Sequence, residues 1–167
     1  MKPLLMFLTL LCWLGLRLEA EPLEKGAPVP DLKVTLQNGE SLDLAAAART
    51  GYTLVYFYPK ADTPGCTAQA CSLRDAYEAL QAKGVRIFGA SSDGVEAQRR
   101  FKEKYDLPFD LIADPDHTVA TAFGVPVTAG FTSRQAYLFH DGRLVWFDRK
   151  ASTKKQADDV LTVLGKR

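Results

Sequence analysis

The stretch from Thr53 to Cys71 constrains the fold more than any other part of the chain. Thr53 to Tyr58 is a β-branched and aromatic run without polar alternation, the pattern of a central strand covered on both faces. Pro59 ends the run. Thr63 then stands where a helix cap belongs, and Pro64 falls at the first helical position, where its fixed φ and missing N–H do no harm. Cys66, Ala70, Leu73, Tyr77 and Leu80 follow on a stripe spaced by three and four, and Gly84 terminates the helix. A buried strand therefore feeds, through a short proline-bounded loop, a helix whose first turn carries a thiol.

The rest of the chain repeats this alternation. Val85 to Ala90 reads as a second buried strand, and Asp93 with Glu96 three residues on has the form of a capping box. Ala97, Phe101 and Tyr105 give that helix its inner face. Phe109 to Ile112 suits a short strand, and Asp116 can cap a short helix ending at Gly124. Two hairpins bracket the chain. Asp31 to Leu36 and Ser41 to Leu44 flank Asn38-Gly39, and Gln135 to Phe139 and Leu144 to Phe147 flank Asp141-Gly142. A closing helix is expected over Lys154 to Leu164. Strands interleaved with helices predict an α/β domain, and the terminal hairpin makes its central sheet mixed.

Length and charge remove several classes of function. A chain of 167 residues most often forms one domain. A net charge of +1 gives no field that would gather nucleic acid or an anionic membrane. The amino terminus reads differently from the remainder. Lys2 precedes a mostly apolar run from Leu4 to Leu16, too short for a membrane span of about 20 residues. It suits the apolar core of a secretory signal, with Ala20 at the cleavage site before Glu21 and Pro22. The expected division is residues 1–20 as signal and 21–167 as the mature domain. The expected location is exported and periplasmic, with no stable membrane association once the signal is removed. An uncleaved anchor, or a cytoplasmic product of a later start, is the alternative.

Removal of the signal removes Cys12 and leaves Cys66 and Cys71. Two cysteines are too few for a disulfide scaffold, and a bridge between residues this close closes a tiny loop. Their value is more chemical than structural. Unpaired N–H groups of a first helical turn stabilise an anion, which favours a reactive thiolate at Cys66 over an inert buried thiol. A nearby second thiol gives an oxidised first one a partner for condensation. In an intact helix, residues five apart are separated by about 140° and their Cα atoms lie on the order of 9 Å apart. A disulfide needs less than about 7 Å, so the two cannot pair until the helix start unwinds. Zinc is not indicated, because His117 and His140 show no ligand spacing with the cysteines.

Pro59, Thr63 and Cys66 reproduce the Pro-x-x-x-Thr-x-x-Cys motif of peroxiredoxins. The longer string Tyr56-Phe57-Tyr58-Pro59-Lys60 through Thr63-Pro64-Gly65-Cys66-Thr67, with Cys71 following, resembles the bacterioferritin comigratory protein/PrxQ branch from about Gly26 to Leu164. The resemblance implies a single thioredoxin-like domain with an added N-terminal β-hairpin, and thiol-dependent reduction of hydroperoxides. It implies Cys66 as the peroxidatic thiol, Cys71 as the resolving thiol and a redox disulfide between them. Thr63 then matches the residue that hydrogen-bonds the peroxide, Pro59 the one that shields the thiolate, and Arg134 the arginine set just before a late strand. Many relatives carry a small hydroxyl residue where this chain has Ala136. The implied partners are a hydroperoxide and a thioredoxin-like reductant, with no metal, flavin or haem, on a monomer or weak dimer. An exported thiol–disulfide oxidoreductase acting on proteins and a catalytically idle binding module are the competing readings; the Thr63/Cys66/Arg134 set weighs against both. The export expectation has a direct check: mass spectrometry of the protein from its native host should give a mature amino terminus at Glu21, and an intact Met1 would refute cleavage.

Overall fold

The computed structural model describes residues 21–166; the expected signal segment, residues 1–20, lies outside them. β1 (Lys33–Leu36) and β2 (Ser41–Asp43) pair antiparallel across a turn in which Leu36 and Glu40 are hydrogen-bonded. Asp43 caps the short α1 (Leu44–Ala47) by accepting from the Ala46 N–H at 2.8 Å. β3 (Tyr52–Phe57) leads through the Pro59–Thr63 loop into α2 (Pro64–Asp75) and α3 (Tyr77–Ala82). Then come β4 (Val85–Ser91), α4 (Val95–Lys104), β5 (Asp110–Ala113) and α5 (Thr118–Phe123). A two-stranded ribbon, β6 (Val127–Thr128) with β7 (Phe131–Thr132), precedes β8 (Gln135–His140), β9 (Arg143–Asp148) and α6 (Gln156–Gly165).

The main sheet has the order β2-β1-β5-β4-β3-β8-β9. The β3–β4 and β4–β5 pairs are parallel and the others antiparallel, so the sheet is mixed. β3 runs between β4 and β8, and its side chains alternate between two cores as the pleat requires. Leu54, Tyr56 and Tyr58 join Cys66, Ala70 and Leu73 of α2, Leu80 of α3, Phe101 of α4 and Ala157, Val160 and Leu164 of α6. Val55 and Phe57 face the other way, toward Leu44 of α1 and Val119, Ala120 and Phe123 of α5. Covering on both faces accounts for the unbroken apolar run that the sequence shows from Thr53 to Tyr58.

Several local expectations change. The stripe from Cys66 to Leu80 is divided, because the chain leaves helical geometry at Ala76 (φ −100°, ψ 10°), where no glycine or proline marks a break. Asp93 does not cap α4. Its carboxylate accepts instead from the Ala61 N–H at 2.7 Å and the Ser91 hydroxyl at 2.7 Å, and Gly94 takes the cap position. Glu96, rather than folding back on the cap, forms exposed ion pairs with Arg99 and Arg100. Asp114, not Asp116, serves α5, accepting from the Val119 N–H at 3.0 Å and the Ala120 N–H at 2.9 Å. In both cases the helix start is served by whichever polar group tertiary packing leaves within reach.

Tyr56 pairs in register with Gly89 on one side and Ala136 on the other. A Cβ at Gly89 would lie 2.7 Å from the Tyr56 ring tip and 2.8 Å from Leu111 Cδ2. The phenol thus occupies the space that a side chain on β4 would need. Gly89→Ala should lower stability by about 1–3 kcal/mol through overpacking, read as a lower urea midpoint at unchanged slope; an unchanged midpoint would show that the core yields freely there.

Candidate active site

The C-terminal end of β3 hands the chain to a loop that is tied down from several directions. The Tyr58 N–H donates to the Ala90 carbonyl at 3.0 Å, and the Tyr58 carbonyl accepts from the Thr132 hydroxyl at 2.8 Å. The Tyr58 hydroxyl donates to Gln98 Oε1 in the buried core. Gln98 Nε2 in turn donates to the Ser91 hydroxyl at 2.9 Å and the Ile112 carbonyl at 2.8 Å. Burial holds the Tyr58 phenol far above its ordinary pKa, so it remains a neutral donor. With Asp93 on the Ala61 N–H, the loop is anchored at both its strand end and its middle.

α2 begins where the loop ends. Thr63 takes the cap position in extended geometry, but its hydroxyl does not cap; it donates to the Lys60 carbonyl at 3.0 Å. The first intrahelical bond runs from the Thr67 N–H to the Thr63 carbonyl at 2.8 Å. The N–H groups of Gly65 and Cys66 therefore come before the helical ladder and are open to an anion or a polar ligand. The Thr63 hydroxyl, spending its proton on Lys60, retains its acceptor capacity, and both Thr63 and Pro59 are half-buried. Cys66 itself is buried at 1% exposure, on the inner face of the helix as its spacing predicts.

Arg134, in the residue before β8, reaches this helix start. Its Nη2 donates to Cys66 Sγ at 3.3 Å, and its Nη1 donates to Gln69 Oε1. Gln69 Nε2 continues to Gln156 Oε1 at 2.9 Å, and both glutamines are fully buried. Gly65 makes room for the guanidinium: a Cβ there would sit 3.3 Å from Arg134 Nη2 and 3.5 Å from Thr153 Cγ2. Arg134, 68 residues from Cys66 in sequence, thus joins Thr63 and Cys66 at one helix start, with Pro59 in the loop that leads into it. Cys71 lies half-buried on the same helix, and both thiols are free. Gln69, Gln156 and Gln98 escaped the sequence reading. Gln69 left a trace, being a polar residue three positions after Cys66 on the otherwise apolar face; Gln156 left none. His117 and His140 are elsewhere, at the start of α5 and the end of β8.

Residues 25–147 match the AhpC/TSA family. The chain belongs to that family. Its Bcp/PrxQ branch is marked by the individual relatives. Peroxiredoxin Bcp of Bacillus subtilis is 36% identical over 150 residues, covering 85% of this chain and 95% of that one. Peroxiredoxin Bcp of Escherichia coli is 46% identical over 104 residues, 62% of this chain and 66% of that one. Among solved structures, the bacterioferritin comigratory protein of Xanthomonas campestris, described for its alkyl peroxide reduction activity, superposes with a TM-score of 0.77 at 30% identity, covering 86% of this chain and 96% of that one. Peroxidoxin BcpB of Mycobacterium tuberculosis gives 0.79 at 29%, covering 85% and 96%. The mixed sheet between helices is accordingly a thioredoxin-like peroxiredoxin fold.

A clasp at one of the unspecified positions between Pro59 and Thr63 ties the peroxiredoxin loop to the end of α4. Asp62, in left-handed geometry at φ 58°, accepts from Lys104 Nζ at 2.8 Å and from the Tyr105 hydroxyl at 2.6 Å. These two donors hold its carboxyl below the ordinary value of 3.8. A depressed acid contributes its full stabilisation above the unfolded-state value and loses it as pH falls through the folded one. The amide signals of Ala61 to Thr63 should therefore be constant near neutrality and change as pH falls below 3.8. Asp62→Asn should remove that transition; its persistence in the variant would place the titrating group elsewhere.

Proposed function

We propose that this chain is a peroxidase that reduces hydrogen peroxide and organic hydroperoxides through Cys66, with Cys71 as the resolving thiol. The observation that carries the reading is the Arg134 guanidinium 3.3 Å from Cys66 Sγ at the open start of α2. Membership of the Bcp/PrxQ branch supports the reaction class, and the alkyl peroxide reduction described for the X. campestris relative supports the organic substrates.

The chemistry follows from the charges. The Cys66 thiolate attacks the terminal peroxide oxygen, the S–O bond forms and the O–O bond breaks. Sulfur is oxidised to a sulfenic acid, and the departing oxygen takes a proton and leaves as water or an alcohol. Negative charge moves from sulfur to the leaving oxygen, so donors fixed around that path stabilise the transition state more than the ground state. Arg134 supplies a planar fork of donors, and the Gly65 and Cys66 N–H groups supply two more. Thr63 offers its hydroxyl oxygen to the peroxide proton, and Pro59 limits water at the sulfur. Loss of one such donor costs about 2.7–4 kcal/mol in other enzymes.

Resolution requires movement. Cys66 and Cys71 both lie in the continuous helix α2, where a five-residue separation keeps Cα atoms on the order of 9 Å apart. The first turns unwind, Cys71 attacks the sulfenic sulfur, and water leaves as the disulfide forms. An external dithiol of thioredoxin type then restores both thiols by exchange. When resolution lags, excess peroxide carries Cys66 to the sulfinic state.

Cys66→Ser should abolish peroxide consumption. Cys71→Ser should complete one turnover and leave a trappable sulfenic acid; normal turnover with a thioredoxin would show that Cys71 is not the resolving thiol. Arg134→Ala should slow peroxide attack by roughly a hundredfold or more while sparing reduction of the disulfide. Amide exchange across residues 64–72 should be faster in the oxidised protein, and equal protection in both states would rule out the unwinding.

A further inference from the structure

We propose that Gln156, at the start of α6, is a positioning residue for the peroxide step: it fixes the polarity of Gln69 and thereby the aim of Arg134 at Cys66. The inference rests on the peroxidase reading given above. Its root is the donor inventory of three buried side chains. Arginine carries only donors, so the Gln69 atom that meets Arg134 Nη1 must be the oxygen. That choice turns Gln69 Nε2 away from Arg134, and it meets Gln156 at 2.9 Å. The facing atom of Gln156 must then also be an oxygen. Its Nε2 is left over, and this buried donor indeed has no hydrogen-bond partner among the described residues. The orphan is thus the residue of a polarity chain that begins at the guanidinium and ends inside the protein.

An unpaired buried donor is destabilising, so the arrangement is not explained by stability alone. What it provides is direction. A free Gln69 amide could present either end to Arg134, and presenting Nε2 would set donor against donor. Gln156 removes that choice. Arg134 Nη1 then has a fixed acceptor, and Nη2 is held on the sulfur. The backbone keeps the two helices in step, since the Ala157 N–H donates to the Ser72 hydroxyl of α2 at 3.2 Å. Gln69 also lies between Cys66 and Cys71, so unwinding of α2 must break its bonds to Arg134 and Gln156. Gln156 therefore favours attack and gives no help to resolution.

The test separates these two steps. Gln156→Met keeps the side-chain length and loses the acceptor. In reduced protein followed by stopped flow, it should lower the second-order rate with hydrogen peroxide by roughly fivefold to tenfold, the scale of one buried hydrogen bond, without slowing disulfide formation. Gln156→Glu restores an acceptor for Gln69 and replaces only the unused Nε2, so it should recover most of the rate. In a Gln69→Met background, Gln156→Met should have no further effect, because the residue acts through Gln69. Wild-type attack rates in Gln156→Met, equal slowing of both steps, failure of Gln156→Glu to recover the rate, or additivity with Gln69→Met would each overturn the proposal. Gln156→Leu, which also lacks an acceptor, carries the same comparison should the methionine variant not fold. A readout independent of turnover is the Arg134 guanidinium 15N signal, which should show hindered rotation in the reduced wild type and averaging in Gln156→Met; no difference would refute the positioning role. A wild type that ignores peroxide would sink the peroxidase reading instead, and the nitrogen signal would still decide the role of Gln156.

Discussion

The guanidinium of Arg134 is shared between a sulfur and an amide, and much of the surrounding structure is arranged to keep it so. One amino group rests 3.3 Å from Cys66 Sγ, and the other is held by Gln69. The strand β8 delivers Arg134 to the end of β3, where antiparallel pairing from Tyr52–His140 to Phe57–Gln135 fixes its height. The Thr132 hydroxyl on the Tyr58 carbonyl and the Ala151 N–H on the Arg134 carbonyl secure the same corner. An arginine held by a lone contact to one sulfur would keep most of its rotamer freedom; the second contact removes it.

The helix that presents Cys66 carries conflicting demands. It must be ordered enough to hold the thiol against Arg134, and the proposed resolution by Cys71 asks that the same turns let it go. Its packing supplies the first requirement through Cys66, Ala70 and Leu73 in the sheet-facing core. The Thr67 hydroxyl, buried and without a hydrogen-bond partner among the described residues, works against a fully settled helix start. The ion pairs on α4 are exposed and contribute little to either demand.

Much of this was legible in the sequence, and the reason is local. The buried strand, the proline-bounded loop, the cysteine in the first helical turn and the Asp141-Gly142 hairpin are each specified by neighbouring residues. Cys66 falls on the inner face because spacing by three and four dictates it. What was not legible depends on residues brought together from afar. Asp93 looks like a helix cap until the Ala61 N–H arrives from another segment. Asp114 outcompetes Asp116 because the turn at His117, in left-handed geometry, brings its carboxylate over the start of α5. The hydroxyl of Thr63 turns to Lys60 rather than to the helix. Gln156, 87 residues from Gln69, could not be paired with it by any local rule.

The two thiols differ in cover: Cys66 is sealed while Cys71 is half-open. Reagents arriving from solvent therefore meet the sulfur of Cys71 before that of Cys66, and a thiol label applied to the folded, reduced protein reports first on the outer of the two.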